Sequence, residues 1–572
     1  MSRRLRSVLV LVGMATLVAA PAPGAGADTI QVTCPPDDLQ AEIDAADPGD
    51  VLEITGNCMP SAGTSFVVDK DLTLRGTPAA TLTGNNERVL EIAGGSVEVE
   101  HLTITGGNSS DIGGGILNGG ALTLTGSSVS DNNATSFGGG IYNDGGTLVV
   151  TTSTVNGNDG SFGGGILNVD GAVTLVDTVV SGNDATQDGG GIHNERGFSA
   201  MGGTLTLTRS VVRGNGALDS GGGIRNADGE ITLQASSVSN NNATSFGGGI
   251  HNDGGTLFVT TSTISGNETS SDGGGIYNGS SSLIVTNSTV SGNEADGNGG
   301  GLFSFGQGTM TNVTVSGNTA DADGGNDGDG GGVAGSGLLT ITNTIMAGNH
   351  DPTSDPDCFG SIDSDGYNIV GIVSSGCAFD AVAADQTGTP NNPLDPLLRG
   401  LADNGGPTMT HALRKGSPAV DAANAATAPA TDQRGVPRNT DIGAYELVLC
   451  GKVPVNRLGT AGDDVIIGTP GADGVLAYGG NDTISTRGGN DAVCAGGGGD
   501  VVRGGGGKDL LLGGGGDDKL VGQGGNDILK GQGGRDLLKG GPGNDSLNGG
   551  PGRDVCRPGG GKKDKLVKCE KP

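Results

Sequence analysis

Eleven aspartates follow one another at an unbroken step of nine: Asp464, Asp473, Asp482, Asp491, Asp500, Asp509, Asp518, Asp527, Asp536, Asp545 and Asp554. Two residues after each stands an apolar or nearly apolar position, from Ile466, Val475 and Ile484 through Leu538, Leu547 and Cys556. Gly-rich stretches fill the intervals. A nine-residue unit of one Gly turn and one short strand cannot bury its single aliphatic side chain alone, so the units must stack. Eighteen residues then make one coil with a turn on each side. Asp464, Asp482, Asp500, Asp518, Asp536 and Asp554 fall on one edge, and Asp473, Asp491, Asp509, Asp527 and Asp545 on the other.

The nonapeptide Gly540-Gly541-Pro542-Gly543-Asn544-Asp545-Ser546-Leu547-Asn548 resembles the repeat of hemolysin-type (RTX) calcium-binding proteins, which implies a calcium-binding parallel β-roll with Ca2+ as its cofactor. The chemistry agrees with the spacing. Calcium takes six or more hard oxygen ligands in a tolerant geometry, which Asp carboxylates and Gly-turn carbonyls of successive same-edge turns supply. All eleven aspartates are candidate ligands, and neighbouring pairs allow five sites on one edge and four on the other. The sequence departs from the pattern at Ala477, Thr486 and Ala495, which replace the first Gly of their turns, and at Lys508, Arg535 and Arg553 beside the aspartate.

A second repeat precedes this one. Three Gly, an aliphatic residue, a variable residue and usually Asn recur from Gly113, Gly138, Gly163, Gly189, Gly221, Gly247, Gly273 and Gly299, with a weaker copy at Gly330. The steps are 25, 25, 26, 32, 26, 26, 26 and 31. Each period holds three strand candidates between Gly, Asn or Asp turns. Stacked at the strand spacing of about 4.8 Å, such periods form a parallel β-helix. Ile141 and Asn143 are expected to point inward, so that Asn118 to Asn278 form one amide ladder and Asn132 to Asn349 a second. The longer steps extrude loops near Arg196 to Gly203 and Ala320 to Asp329. The variable residue is expected to face outward, which aligns Leu117, Tyr142, Leu167, His193, Arg225, His251, Tyr277 and Phe303 in one row. Within it Tyr142, His193, Arg225, His251 and Tyr277 are a candidate sugar-binding ladder, set against the plainer reading of a solvated strand face.

Upstream, a short amphipathic helix over Leu39 to Ala46, then Asp47-Pro48-Gly49-Asp50 and Val51-Leu52-Glu53-Ile54, is similar to the cap and first coil of pectin-lyase-like right-handed parallel β-helices; Asp71-Leu72-Thr73-Leu74-Arg75-Gly76 resembles their early coils. Downstream, Asp357-Cys358, Gly366-Tyr367-Asn368, Ala402 to Pro407, Gly416 to Asp421, Thr431 to Gly435 and Asp441 to Glu446 together resemble the choice-of-anchor Q domain. That resemblance implies a region closing the β-helix of an exported protein, and no chemistry. The fold class expected is all-β: a right-handed parallel β-helix followed by a calcium-binding β-roll.

Composition bounds the function. The chain has 31 basic against 63 acidic side chains, a formal charge of −32, which disfavours nucleic-acid binding because phosphate contacts depend on concentrated Lys and Arg. Arg3, Arg4 and Arg6, the apolar run Val8 to Ala20 and Ala25-Gly26-Ala27 read as a secretory signal peptide cleaved after Ala27. No later stretch is long enough to span a bilayer. Eight cysteines in an exported chain are expected to be bridged, by proximity Cys34–Cys58, Cys358–Cys377, Cys450–Cys494 and Cys556–Cys569. The expected order is a leader (1–27), a cap with early coils (28–101), β-helix repeats (102–349), a closing region (350–447), a linker (448–458), the β-roll (459–566) and a basic tail (567–572). The protein is expected to be secreted or surface-associated and adhesin-like, with cell-surface glycans or cell wall as candidate partners. A polysaccharide lyase, hydrolase or epimerase on the β-helix is the alternative. Residues 102–349, however, contain no Lys and only Arg196, Arg209, Arg213 and Arg225, and no catalytic motif is recognised there.

Overall fold

The computed structural model describes residues 27–197, 202–325, 328–352, 355–382 and 384–570. The leader other than Ala27, and parts of the loops at 196–203 and 320–329, lie outside them.

The α-helix Leu39–Ala45 is capped by Asp38, whose side chain accepts N–H bonds from Gln40 and Ala41. Leu39 and Ile43 plug the first turn of the solenoid. Thr29–Cys34 pairs in parallel with Val51–Cys58, and parallel pairing then repeats coil on coil. Ile116–Asn118 pairs with Ile141–Asp144, Ala121–Thr125 with Thr147–Thr151, and Ser128–Ser130 with Thr154–Asn156. Alternation puts Ile141, Leu148, Val150 and Val155 inside, fully buried, in a core continuous from Val32 to Cys377.

The coil has a fourth strand beyond the three expected. Two-residue strands such as Asn133–Ala134 and Asp184–Ala185 form an eight-stranded parallel sheet of their own. They are too short to leave a periodic signal, but their small inward residues, Ala134, Ala185, Ala217 and Ala243, are buried. The Gly triplet follows from the corner after this strand. Gly138 and Gly163 sit at φ 63° and 61°, and a Cβ on Gly139 would overlap the Asp159 carbonyl of the next coil.

Both amide ladders form. Asn118 Nδ2 donates to Asn143 Oδ1 at 2.6 Å, and the column continues through Asn168, Asn194, Asn226 and Asn252 to Asn278. In the second, Asn132 Nδ2 donates to Asn158 Oδ1 at 3.0 Å, and each member's backbone N–H donates to the same oxygen, as Asn132 N does at 3.1 Å. That column runs to Asn349.

The region 396–447 lies along the flank of the β-helix rather than only beyond its end. Leu398–Ala402 pairs antiparallel with Thr410–Leu413. The third strands of the late coils receive it: the Thr289 hydroxyl bonds Gln433 Oε1 at 2.6 Å, Ser291 bonds His411 Nε2 at 2.8 Å, and Thr314 Oγ1 accepts from Ala444 N at 3.0 Å. A buried Asp432–Arg434 pair at 2.8 Å anchors it, with the guanidinium 3.7 Å above the Tyr445 ring. Arg434 also reaches the Val455 carbonyl at 3.1 Å, tying this region to the start of the roll.

The roll is two parallel sheets of seven and six strands. Pairing steps by eighteen, Val475 with Val493 and Ile484 with Val502. Its core is one side chain thick, from Ile466 through Leu511, Leu520, Leu529 and Leu538 to Cys556. Disulfides join Cys34 to Cys58, Cys358 to Cys377, Cys450 to Cys494 and Cys556 to Cys569. No helix among the described residues is long and apolar enough to cross a membrane.

Candidate calcium sites and the roofed strand row

Each of the eleven aspartates except Asp464 is buried, because the strand two residues on carries its backbone inward with the aliphatic side chain. Oδ1 is used up within the fold. Asp500 N donates to Asp518 Oδ1 at 2.8 Å, Asp509 N to Asp527 Oδ1 at 3.0 Å, and the same bond links every same-edge pair. Oδ2 is different: from Asp482 to Asp554 this atom is buried with no hydrogen-bond partner. An anionic oxygen so placed costs free energy unless a cation or a proton meets it.

The space beside that oxygen is set by the first Gly of the turn. A Cβ on Gly513 would overlap Asp518 Oδ2 and come within 2.8 Å of the Gly531 carbonyl oxygen; Gly522 and Gly531 are arranged alike toward Asp527 and Asp536. The cradle therefore offers a carboxylate oxygen and carbonyl oxygens with no donor between them, the donor set a hard divalent cation requires. Bound calcium would supply the positive charge that holds these acceptors together. Ala477, Thr486 and Ala495 place a real side chain in this space, and the Thr486 hydroxyl donates to the Gly504 carbonyl at 2.7 Å.

Burial, opposed by the ladder N–H and reinforced by neighbouring carboxylates, pushes Asp518 up to about 7; the same causes bring Asp509 to about 6. Burial also raises Asp482, Asp491, Asp500, Asp527, Asp536 and Asp545. The column extends at one end beyond the eleven, where Asp564 Oδ1 accepts from Asp545 N at 2.9 Å, and at its other end Asn456 Nδ2 donates to Asp473 Oδ1 at 3.2 Å. Asp564 follows Asp545 by nineteen residues rather than eighteen, so a one-residue insertion hid it from the periodicity.

The row of variable residues is brought together in register: Tyr142 beside Leu167, Leu167 beside His193, His193 beside Arg225, Arg225 beside His251, and His251 beside Tyr277. It is not the exposed face expected. Leu167, His193, His251 and Phe303 are buried, His193 at 3% exposure. For the two histidines the reason is the aromatic residue before the Gly triplet, while Phe303 packs against Tyr277 and Phe305. The positive-φ corner folds Phe137, Phe162 and Phe246 back over the row, with ring centroids 5.6 Å from Phe162 to His193 and 4.7 Å from Phe246 to Tyr277. Burial first, then Arg225, lowers His193 to about 3, and the same causes with His193 lower His251 to about 2. Both imidazoles are neutral at physiological pH. Between the phenylalanines the roof opens to Asp188 and Ser220, where Arg225 reaches Asp253 at 3.2 Å and Asp188 at 4.0 Å. Tyr142, Arg225 and Tyr277 keep partial exposure.

A further carboxylate group had no sequence signal. Asp329, Asp351 and Asp355 bring one oxygen each within 4.8 Å of one another, and Asp355 N donates to Asp351 Oδ2 at 3.0 Å.

The family model of the RTX calcium-binding nonapeptide repeat (4 copies) matches residues 458–493, 495–529 and 530–562. The roll is thus built of RTX calcium-binding repeats, with calcium as its ion. No curated protein matches the chain in sequence. Among solved structures, the crystal structure of pectate lyase Pel9A is similar at 12% identity over 73% of this chain and 96% of that one, with a TM-score of 0.32. At that score the β-helix stands on its own strand register.

Proposed function

We propose that this chain is exported and acts outside the cell as a calcium-braced, adhesin-like solenoid. The roll's aspartates hold the ions, foremost those from Asp509 to Asp554 whose turns open on Gly, and the β-helix is presented as a rigid attachment surface for glycans or cell wall. The observation that carries the reading is the row of buried, partnerless Asp Oδ2 atoms. Extracellular calcium modules work at about 10⁻⁴ to 10⁻³ M, and four disulfides suit an oxidising compartment. The leader-like residues 1–27 support the same location. The flank region at 396–447 supports a choice-of-anchor Q type of closing segment, with Asp432, Arg434 and Tyr445 as its buried clamp.

On the β-helix, the partly exposed Tyr142, Arg225 and Tyr277 are the members of the row that offer ring faces and a guanidinium to a sugar. His193 and His251 support the row from beneath. The enzyme reading draws on one observation: burial raises the carboxyls of Asp188 and Glu195 near Arg225.

Glycan-array binding in calcium, compared with Tyr142→Ala/Tyr277→Ala, tests attachment. Mass spectrometry of the bound sugars tests turnover. Binding without cleavage, weakened in the double variant, is expected. Cleaved or epimerised product would replace attachment by catalysis, and a chain retained inside the producing cell would overturn export.

A further inference from the structure

The partnerless Oδ2 atoms begin at Asp482, not at Asp464. In the first turn, Thr460 N–H and the Thr460 hydroxyl donate to Asp464 Oδ2 at 2.6 and 3.0 Å. In the second, Thr469 N–H and hydroxyl donate to Asp473 Oδ2 at 2.6 and 3.0 Å. Each hydroxyl in turn accepts an N–H at 3.1 Å, from Gly462 and from Gly471. The backbone differs too. The residue four before the aspartate has positive φ in later turns, at Tyr478 (66°), Arg487 (70°), Gln523 (74°) and Gln532 (76°), whereas Thr460 and Thr469 do not. The amide they present to the carboxylate is a donor, and a donor at 2.6 Å occupies the approach a cation would need.

We infer that Thr460 and Thr469 close the first coil of the roll without an ion, so that calcium enters only between carboxylates from Asp482 onward. This rests on calcium binding by the later turns. Of the seven neighbouring same-edge pairs in which both aspartates carry a partnerless Oδ2, four also have Gly before both turns: Asp509 with Asp527, Asp518 with Asp536, Asp527 with Asp545, and Asp536 with Asp554.

The closed coil lies in the part fastened to the rest of the chain, which reaches one coil further to Ala492 and Cys494. Cys450 is bridged to Cys494. Val455 and Ala492 are buried with Leu458, Leu476 and Leu510 against them, and Arg434 and the Tyr445 hydroxyl both bond the Val455 carbonyl. In a solenoid each coil is templated by its neighbour. A coil that is folded without calcium is therefore the edge on which the calcium-dependent coils add, from the anchored end toward Cys569.

Two measurements on the full-length protein test this. Equilibrium dialysis with radiolabelled calcium should give Asp464→Asn/Asp473→Asn the wild-type number of bound ions, while Asp518→Asn/Asp536→Asn loses at least two. Hydrogen exchange of the unmutated protein in chelator should find the amides of residues 457–476 protected and those of 509–559 exchanging freely. Loss of ions from the first variant equal to that from the second, or free exchange at 457–476 in chelator, overturns the proposal. A wild type that binds no calcium at all would instead remove the calcium reading on which it rests.

Discussion

Gly522→Ala reproduces in an open turn what Ala477 and Ala495 already do in theirs. The added Cβ would overlap Asp527 Oδ2 and come within 2.9 Å of the Gly540 carbonyl oxygen. Asp527 belongs to two same-edge pairs, with Asp509 and with Asp545, so one methyl group blocks two cradles. Each ion stabilises the fold by about 2.7 kcal/mol when calcium is at a hundredfold excess over its Kd. Losing both removes up to about 5 kcal/mol, on the order of 20 °C in the melting temperature of a domain of this size. Gly522 does not have positive φ, so the backbone accepts Ala, but the overlap with Asp527 and the Gly540 carbonyl must be relieved with or without the ion; the loss in calcium beyond that in chelator is what reports the two cradles. Gly524→Ala is the control, because a Cβ there would find its nearest atom at 3.8 Å. Melting of the full-length protein by circular dichroism, in calcium and in chelator, separates the cases. Equal losses for Gly522→Ala and Gly524→Ala in calcium would show that the space beside Asp527 is not where the ion sits.

Burial raises Asp518 to about 7 and Asp509 to about 6, above their unfolded values. Their contribution to the ion-free fold is thus present at low pH and lost as pH rises through the folded values. In chelator the later coils should be most ordered near about pH 4 to 5 and melt toward pH 8, whereas in calcium acid should release ions and loosen them; the same pH trend in both media would contradict the assignment. Asn215→Ala strands Asn183 N and Nδ2, which donate to its Oδ1 at 3.0 and 2.9 Å. Urea unfolding should show a loss of about 3 kcal/mol for the two orphaned donors, and a loss below about 1 would mean the ladder is not structural. Non-reducing peptide mapping should recover Cys450 linked to Cys494, and a free thiol at either would remove the tether between the closing region and the roll. His193→Ala, which empties a buried position under Phe162, should lower the melting temperature, whereas Tyr142→Ala at the partly exposed end should leave it nearly unchanged.

Periodicity was readable wherever one side chain per repeat does one job. Asp and the aliphatic two residues on placed both edges and the core of the roll, and the Gly triplets placed the coils of the β-helix with both Asn columns. What was not readable depends on geometry that no period encodes. The roof over His193 exists because Gly163 takes positive φ and bends Phe162 back across the strand. Alternation says only that His193 leaves the core, not that Phe162 covers it. The flank docking joins residues 144 apart, Thr289 to Gln433, and the matching surface is an ordinary Ser/Thr strand face in the sequence.

The two solenoids solve the same stacking problem with side chains that differ by one group. In the β-helix, an Asn column uses its oxygen to accept from the coil before and its Nδ2 to donate to the coil after, so it closes on itself at every step. In the roll, Asp keeps the oxygen that accepts the ladder N–H and exchanges the donor for a second acceptor, so each step leaves one buried anionic oxygen over. Something positive must be supplied per coil, and the requirement grows with the number of coils while the one-residue core grows no wider. Thr460 and Thr469 meet it with their own N–H and hydroxyl donors at the anchored end. Where Tyr478, Arg487 and the later residues turn that amide away through positive φ, the charge has to come from solution. Calcium dependence should therefore begin beyond the turn of Asp473, be greatest from Asp509 onward where Gly stands before every turn, and leave the β-helix untouched.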